Sequence, residues 1–224
     1  MTTALVTGAN KGIGLEIVKQ LVDRGLTVYL GARDPERGAK AAADAGARFV
    51  QLDVTDPASI ARAAADLDRL DVLVNNAGIT GGRMNAPGDA DPASIREVFD
   101  TNVFGAIAVT EALLPLLRAS EHGRIVNVSS TVGSLSGMVA GTTPTSLGYV
   151  PSKTALNAVT LLYAKSEPGL KVNAACPGYC ATDLNAHAGH RTPAQGAAVA
   201  VTLATIDDDG PTGGFFDDEG PIAW

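Results

Sequence analysis

The sequence predicts an α/β fold: a doubly wound parallel sheet of about seven strands in a single domain. Two observations carry this. Short, β-branched apolar runs alternate with helical stretches along the whole chain, and such alternation implies a parallel sheet covered by helices on both faces. The three longest irregular stretches, 75–91, 130–147 and 176–192, each follow a strand. All three should therefore gather at the carboxyl ends of the strands, where open α/β sheets bind their ligands.

Taken in order, Ala4–Thr7 reads as the first buried strand, followed by a helix near 12–24. Thr27–Gly31 precedes a helix near 35–45, and Arg48–Leu52 one near 57–69. Val72–Val74 leads through 75–91 into a long helix near 92–118. Arg124–Val128 is followed by 130–147 and a helix near 149–167. Lys171–Ala175 is followed by 176–192 and a helix near 193–204, and a short strand near Gly213–Asp217 closes the edge. Each strand run is short and bounded by Gly, Asn, Asp or Pro.

Composition excludes several classes. The 224 residues are 46% apolar with a net charge of −7, which disfavours nucleic acid or an anionic membrane as partner. No stretch approaches the roughly 18 consecutive apolar residues that span a bilayer. Met1-Thr2-Thr3 leads directly into a strand without a signal-peptide pattern, so a cytoplasmic protein is expected. Cys176 and Cys180 are too few for a disulfide scaffold. Cys176-x-x-x-Cys180 with His187-x-x-His190 imitates a zinc ligand set, but Cys176 should end a buried strand, so no metal is expected. The run Asp207-Asp208-Asp209 reads as a solvated turn, and Gly81-Gly82 as a flexible loop bordering the pocket.

Two sites stand out. Thr7-Gly8-Ala9-Asn10-Lys11-Gly12-Ile13-Gly14 joins the first strand to the first helix. Glycines permit a tight turn and close approach to a pyrophosphate, and the helix then offers free N–H groups and the positive end of its dipole. An acidic residue about 20 positions downstream would bind the ribose 2′-hydroxyl of NAD. Arg33 lies there instead, nineteen positions after Gly14, with Asp34 next to it. Arg33 and Lys11 together suit a 2′-phosphate, so NADP(H) is the expected cofactor. Asp53-Val54 could hold the adenine edge, or Asp53 could be only a turn residue before the helix at Pro57.

The second site is Gly148-Tyr149-Val150-Pro151-Ser152-Lys153. Four residues separate Tyr149 from Lys153, which puts both on one helix face. An ammonium beside a phenol favours phenolate and should lower the tyrosine pKa. Pro151 fits the first turn of a helix beginning close to Tyr149. Asn102 falls on an apolar stripe formed by Ile95, Val98, Phe99, Ala106, Val109 and Leu113, and a buried amide must find partners.

Together the Thr7–Gly14 turn, Asp53-Val54, Asn75-Asn76-Ala77-Gly78, Asn102, Asn127-Val128-Ser129-Ser130, Tyr149-x-x-x-Lys153 and Pro177-Gly178 resemble the short-chain dehydrogenase/reductase family over nearly the whole chain. The Asn-Lys-Gly turn, Ala32-Arg33-Asp34 and Gly210–Phe216 look most like its NADPH carbonyl-reductase and menthone- and salutaridine-reductase branch. The resemblance implies a Rossmann fold, a nicotinamide cofactor and an Asn-Ser-Tyr-Lys tetrad. Tyr149 would then donate a proton to the carbonyl oxygen, and Lys153 would bind the nicotinamide ribose. Ser130 would hydrogen-bond the substrate oxygen, and Asn102 would hold a water linking Lys153 to solvent. The implied cofactor contacts are Gly8, Asn10, Lys11, Gly12, Ile13, Gly14, Arg33, Asp53, Val54, Asn75, Ala77, Gly78, Pro177, Gly178 and Thr182, with Asn75 on the adenosine side and Thr182 at the nicotinamide or phosphate.

Many members place the serine thirteen residues before the tyrosine, which here is Ser136; Ser130 lies nineteen before. Ser130 is preferred because its run ends a strand and the loop after it absorbs insertions more easily. Ser129 and Ser136 are the alternatives. The expected pocket walls are 79–90, 131–147 and 179–191, with Leu135, Met138, Val139, Leu147, Tyr179 and Leu184 as liners. A lipophilic ketone or aldehyde follows as the expected substrate. Imine reduction or a non-catalytic NADP(H)-binding regulator are the other readings. A dimer or tetramer through the helices near 92–118 and 149–167 is implied over a monomer.

Overall fold

A computed structural model describes residues 2–82 and 85–224; Met1, Arg83 and Met84 lie outside the described residues, so the expected wall 79–90 is described without those two. The sheet has seven strands in the order β3-β2-β1-β4-β5-β6-β7, and every neighbouring pair is parallel. The strands are β1 (Thr3–Val6), β2 (Thr27–Ala32), β3 (Arg48–Gln51), β4 (Val72–Asn75), β5 (Arg124–Val128), β6 (Lys171–Ala175) and β7 (Phe215–Phe216). The strand order reverses between β1 and β4, which marks the switch point where such sheets open a crevice.

The helices are α1 (Gly12–Asp23), α2 (Pro35–Asp44), α3 (Pro57–Ala65), α4 (Pro92–Phe99), α5 (Ala106–Ala119), α6 (Leu135–Val139), α7 (Tyr149–Ser166) and α8 (Pro193–Ala204). Local chemistry sets most starts. Asp34, Asp56, Asp91 and Thr192 each cap a helix whose first residue is proline. One apolar layer packs α1, α2 and α8 on the sheet through Ile17, Val18, Leu21, Ala197, Val201 and Leu203. The other packs α3 and α5 on the opposite face through Ile60, Ala63, Val109, Leu113 and Leu117.

Four expectations are corrected. The helix near 57–69 stops at Ala65, with Asp66 as its cap. The helix near 92–118 is not one α-helix: Asp100–Gly105 is a π segment between α4 and α5. The stretch 130–147 is not wholly irregular, since it contains a 3₁₀ turn at Thr131–Gly133 and α6. The run Pro92–Ala119 also contains an 18-residue window of mean hydropathy 1.3, apolar and long enough to cross a membrane, contrary to the expectation. Half of that window is buried inside the protein, where it covers the sheet.

Candidate active site

At the β1–α1 turn, Gly8 has a φ of +62° and its Cα faces Ala77, so that an added Cβ would lie 2.8 Å from Ala77 Cα. A side chain at Gly14 would run into the Asn76 amide. That amide donates to Thr7 O (2.9 Å) and Gly8 O (3.2 Å), and Thr7 Oγ1 accepts from the N–H groups of Asn76 and Ala77. The turn is therefore locked to the end of β4 before any ligand arrives. No side chain caps α1, so its first N–H groups remain available to an anion.

Arg33 is exposed at the carboxyl end of β2 and has no ion pair among the described residues. Asp34 beside it is occupied by the α2 cap and an ion pair with Arg37 at 3.5 Å. Lys11 departs from expectation: its ammonium lies 2.5 Å from Asp183, which also meets His187 at 2.9 Å. Thr182 faces Gly12, so the loop after β6 lies over the glycine turn. Asp53 behaves as the turn residue of its alternative reading, with its carboxylate accepting from both the N–H and the hydroxyl of Thr55.

At the catalytic end, Tyr149 and Lys153 lie one turn apart at the start of α7, as their spacing predicts. The Lys153 ammonium lies 5.5 Å from the Tyr149 ring centroid and donates to Val128 O at 2.8 Å. The Ser130 side chain lies close enough to the Tyr149 hydroxyl to stabilise its ionised form, and its Oγ accepts from Val132 N at 3.4 Å. Ser136 instead donates to Trp224 O at 2.7 Å, and Ser129 to Asn157 at 2.6 Å. Of the three serines, Ser130 is the one beside the phenol.

The electrostatics correct one expectation. Lys153 does not lower the Tyr149 pKa here. Burial pushes the phenol up to about 12, the Cys176 thiol adds to that, and the nearby Ser130 hydroxyl opposes it. Burial also lowers the Lys153 ammonium to about 8, partly offset by Cys176. Desolvation dominates because Lys153 is buried, Tyr149 is half-buried beside it, and the ammonium is turned to a carbonyl.

Asn102 is 1% exposed within the π segment. Its amide donates to Ile79 O (2.9 Å) and Ser152 Oγ (3.0 Å) and accepts from the Ile79 N–H (2.8 Å). Three hydrogen bonds to protein thus fix the side chain. Asn75 is corrected too. Its buried amide points into the molecule and donates to Thr110 and Asn127, away from any adenosine. Asn127 continues to Thr160 at 2.8 Å. Gly78 lies between Asn102 and Lys153, and Pro177-Gly178 follows β6 beside Arg191.

Of the expected liners, Leu135, Val139, Leu147, Tyr179 and Leu184 are exposed, and Met138 is half-buried. Residues that sequence reasoning missed include Asn76, Ser152, Asn157 and Thr160. The available signal was polarity inside otherwise apolar runs, as in Asn157 and Thr160 on α7.

A family model described as short chain dehydrogenase matches residues 2–192. The chain is 35% identical to the (−)-isopiperitenone reductase of Mentha piperita, over 95% of each chain. It is 34% identical to the salutaridine reductase of Papaver bracteatum, over 97% of this chain and 94% of the relative. The isopiperitenone reductase alignment spans 298 positions against 224 residues here, so that relative carries segments this chain lacks. Among solved structures, salutaridine reductase from Papaver somniferum superposes with a TM-score of 0.87 at 32% identity, covering 97% of this chain and all of that one. NADPH-bound carbonyl reductase from chicken fatty liver does so with a TM-score of 0.88 at 30% identity, covering 100% and 99%. The chain belongs to the short-chain dehydrogenase/reductase family, in the branch that holds these reductases.

Proposed function

We propose that the protein is a cytoplasmic, NADP(H)-dependent oxidoreductase that reduces the carbonyl of a lipophilic ketone or aldehyde to an alcohol. The carrying observation is the clustering of Ser130, Tyr149 and Lys153 beside the carboxyl end of β5, where the Lys153 ammonium donates to Val128 O. The cofactor fits what is present: a glycine cradle that side chains at Gly8 or Gly14 would fill, an uncapped α1, and an Arg33 without an ion pair among the described residues. Gly8, Asn10, Gly12, Ile13 and Gly14 would hold the pyrophosphate, Arg33 the 2′-phosphate, and Lys153 and Thr182 the nicotinamide end. Lys11 supports the phosphate only after leaving Asp183. When bound, the cofactor supplies a hydride to the carbonyl carbon.

The residues do the rest. Ser130 donates to the carbonyl oxygen as negative charge develops there. Tyr149, kept protonated by its raised pKa, gives that oxygen its proton. Lys153 orients the ribose and refills the proton supply. Asn102 acts as a positioning residue, holding Ile79 and Ser152 in place beside the pair. The relatives named as isopiperitenone reductase and salutaridine reductase, together with the exposed apolar residues Leu135, Val139 and Leu184, support a lipophilic substrate. A homodimer or homotetramer is the assembly this reading expects, with Phe104 and Leu162 as exposed apolar residues on its two helices.

The test is NADPH oxidation against a panel of ketones, aldehydes and imines, with NADH in parallel. Ketone or aldehyde turnover with NADPH is expected. Arg33→Ala should weaken NADPH about 10- to 100-fold, the range of a charge-assisted phosphate contact, and leave NADH unaffected. Turnover confined to imines, or NADPH binding with no turnover at all, would replace this reading.

A further inference from the structure

Ser136 has a partner that no catalytic role requires. Its backbone N–H (3.0 Å) and its hydroxyl (2.7 Å) both donate to Trp224 O. The Ser134 hydroxyl donates to Ala223 O at 2.8 Å. The Trp224 ring stacks on Phe215 with centroids 5.3 Å apart and planes 19° from parallel, and Ile222 N donates to Phe215 O at 2.7 Å. Phe215 lies in β7 and is 1% exposed. Residues 222–224 therefore run from the edge of the sheet to the start of α6 and tie the two together.

α6 needs such a tie. It has five residues and buries none of them, and a helix that short does not hold itself in water. Its local supports are the Ser134 cap on Gly137 N and a bond from Thr142 to Gly137 O. It nevertheless presents Leu135 (58% exposed) and Val139 (91% exposed), and it begins five residues after Ser130, across the Thr131–Gly133 turn that packs on α7. The tether consists of main-chain oxygens of Ala223 and Trp224 and one aromatic stack.

We infer that Ile222–Trp224 is a strap that sets substrate specificity, with Trp224 as a positioning residue holding the Leu135–Val139 wall against the reacting carbonyl. This rests on the carbonyl-reductase reading, and the strap itself can be tested apart from it. With the wall held, an apolar ring is gripped between α6 and Tyr149; with the wall loose, a small aldehyde still reacts but a bulky ring loses its contact face. Ser134 and Ser136 anchor the strap, which explains why Ser136 stands near the tyrosine in sequence yet points away from it.

The experiment compares the full chain with Trp224→Ala and Trp224→Phe. Hydrogen exchange of residues 134–141 is followed without ligand, and KM and kcat are measured for a substituted cyclohexanone and for propanal. Trp224→Ala should speed exchange at 134–141 and raise KM for the cyclohexanone about tenfold, the scale of losing an aromatic pair. Values for propanal and the NADPH Kd should stay unchanged, and Trp224→Phe should restore the native pattern. Unchanged exchange at 134–141 overturns the strap, and so does an equal KM change for both substrates or a fall in kcat alone. Failure of the native protein to reduce either compound overturns the carbonyl-reductase reading instead, since the exchange measurement needs no turnover.

Discussion

In the half of the sheet formed by β1, β2 and β3, the ligand-facing structure is backbone. Gly8 and Gly14 leave no room for a side chain, α1 starts uncapped, and Asn76 holds two carbonyls of the turn. In the half formed by β4, β5 and β6, the structure behind the chemistry is made of side chains. Thr110, Asn75, Asn127 and Thr160 form a buried chain across β4 and β5, and Ser129 and Asn157 brace the turn after Ser130. The first arrangement receives a ligand common to many reactions, so fixed N–H groups suffice. The second must aim one hydroxyl at one atom, and hydrogen-bonded side chains inside a dry core hold direction as well as position.

The largest effect should come from the catalytic half. Tyr149→Phe removes the donated proton and should lower turnover about a thousandfold, with the NADPH Kd from fluorescence titration nearly unchanged. Retained turnover would break the assignment of roles between the two halves. Next is the nucleotide half: Gly14→Ala forces the Asn76 amide out, a distortion of about 1–3 kcal/mol, and should weaken NADPH about 10- to 100-fold. Asn127→Ala sharpens the comparison from the other side. It orphans polar atoms of Asn75 and Thr160, costing about 1–3 kcal/mol, so Tm should fall by roughly 2–12 °C while NADPH binding holds. If Asn127→Ala loses NADPH instead, the two halves are not separable.

The smallest effect is in pH dependence. Tyr149, raised to about 12, stays protonated through neutrality, whereas Lys153, lowered to about 8, loses its charge as pH rises through that value. Reductive kcat/KM should therefore be flat below about pH 8 and fall up to tenfold per unit above it. A profile flat to pH 10 would remove the ammonium from the mechanism.

The contrast also decides what the sequence revealed. A backbone site needs glycine at fixed offsets, so the Thr7–Gly14 turn was legible, as were all seven strands and the starts of six helices, though not those of α5 and α6. Tyr149 and Lys153 were legible because their spacing is helical. Asn75 was misread because Asn75 and Asn76 look alike on paper; strand alternation turns one into the core toward Asn127 and leaves the other at the glycine turn. The pKa shift of Tyr149 was misread because spacing shows who is adjacent, not where the ammonium points. Lys11 found Asp183, 172 positions away, and no local pattern encodes such a partner.

Asn102 gives Ile79 an acceptor and a donor side by side, the same pair of groups a peptide unit of an adjacent strand would present. One carboxamide thus stands in for a missing strand neighbour and lets extended chain run along the crevice wall beyond the end of the sheet. An aspartate of identical shape would keep the acceptor but set an oxygen against the Ile79 carbonyl, so near-perfect isosterism there would turn attraction into repulsion.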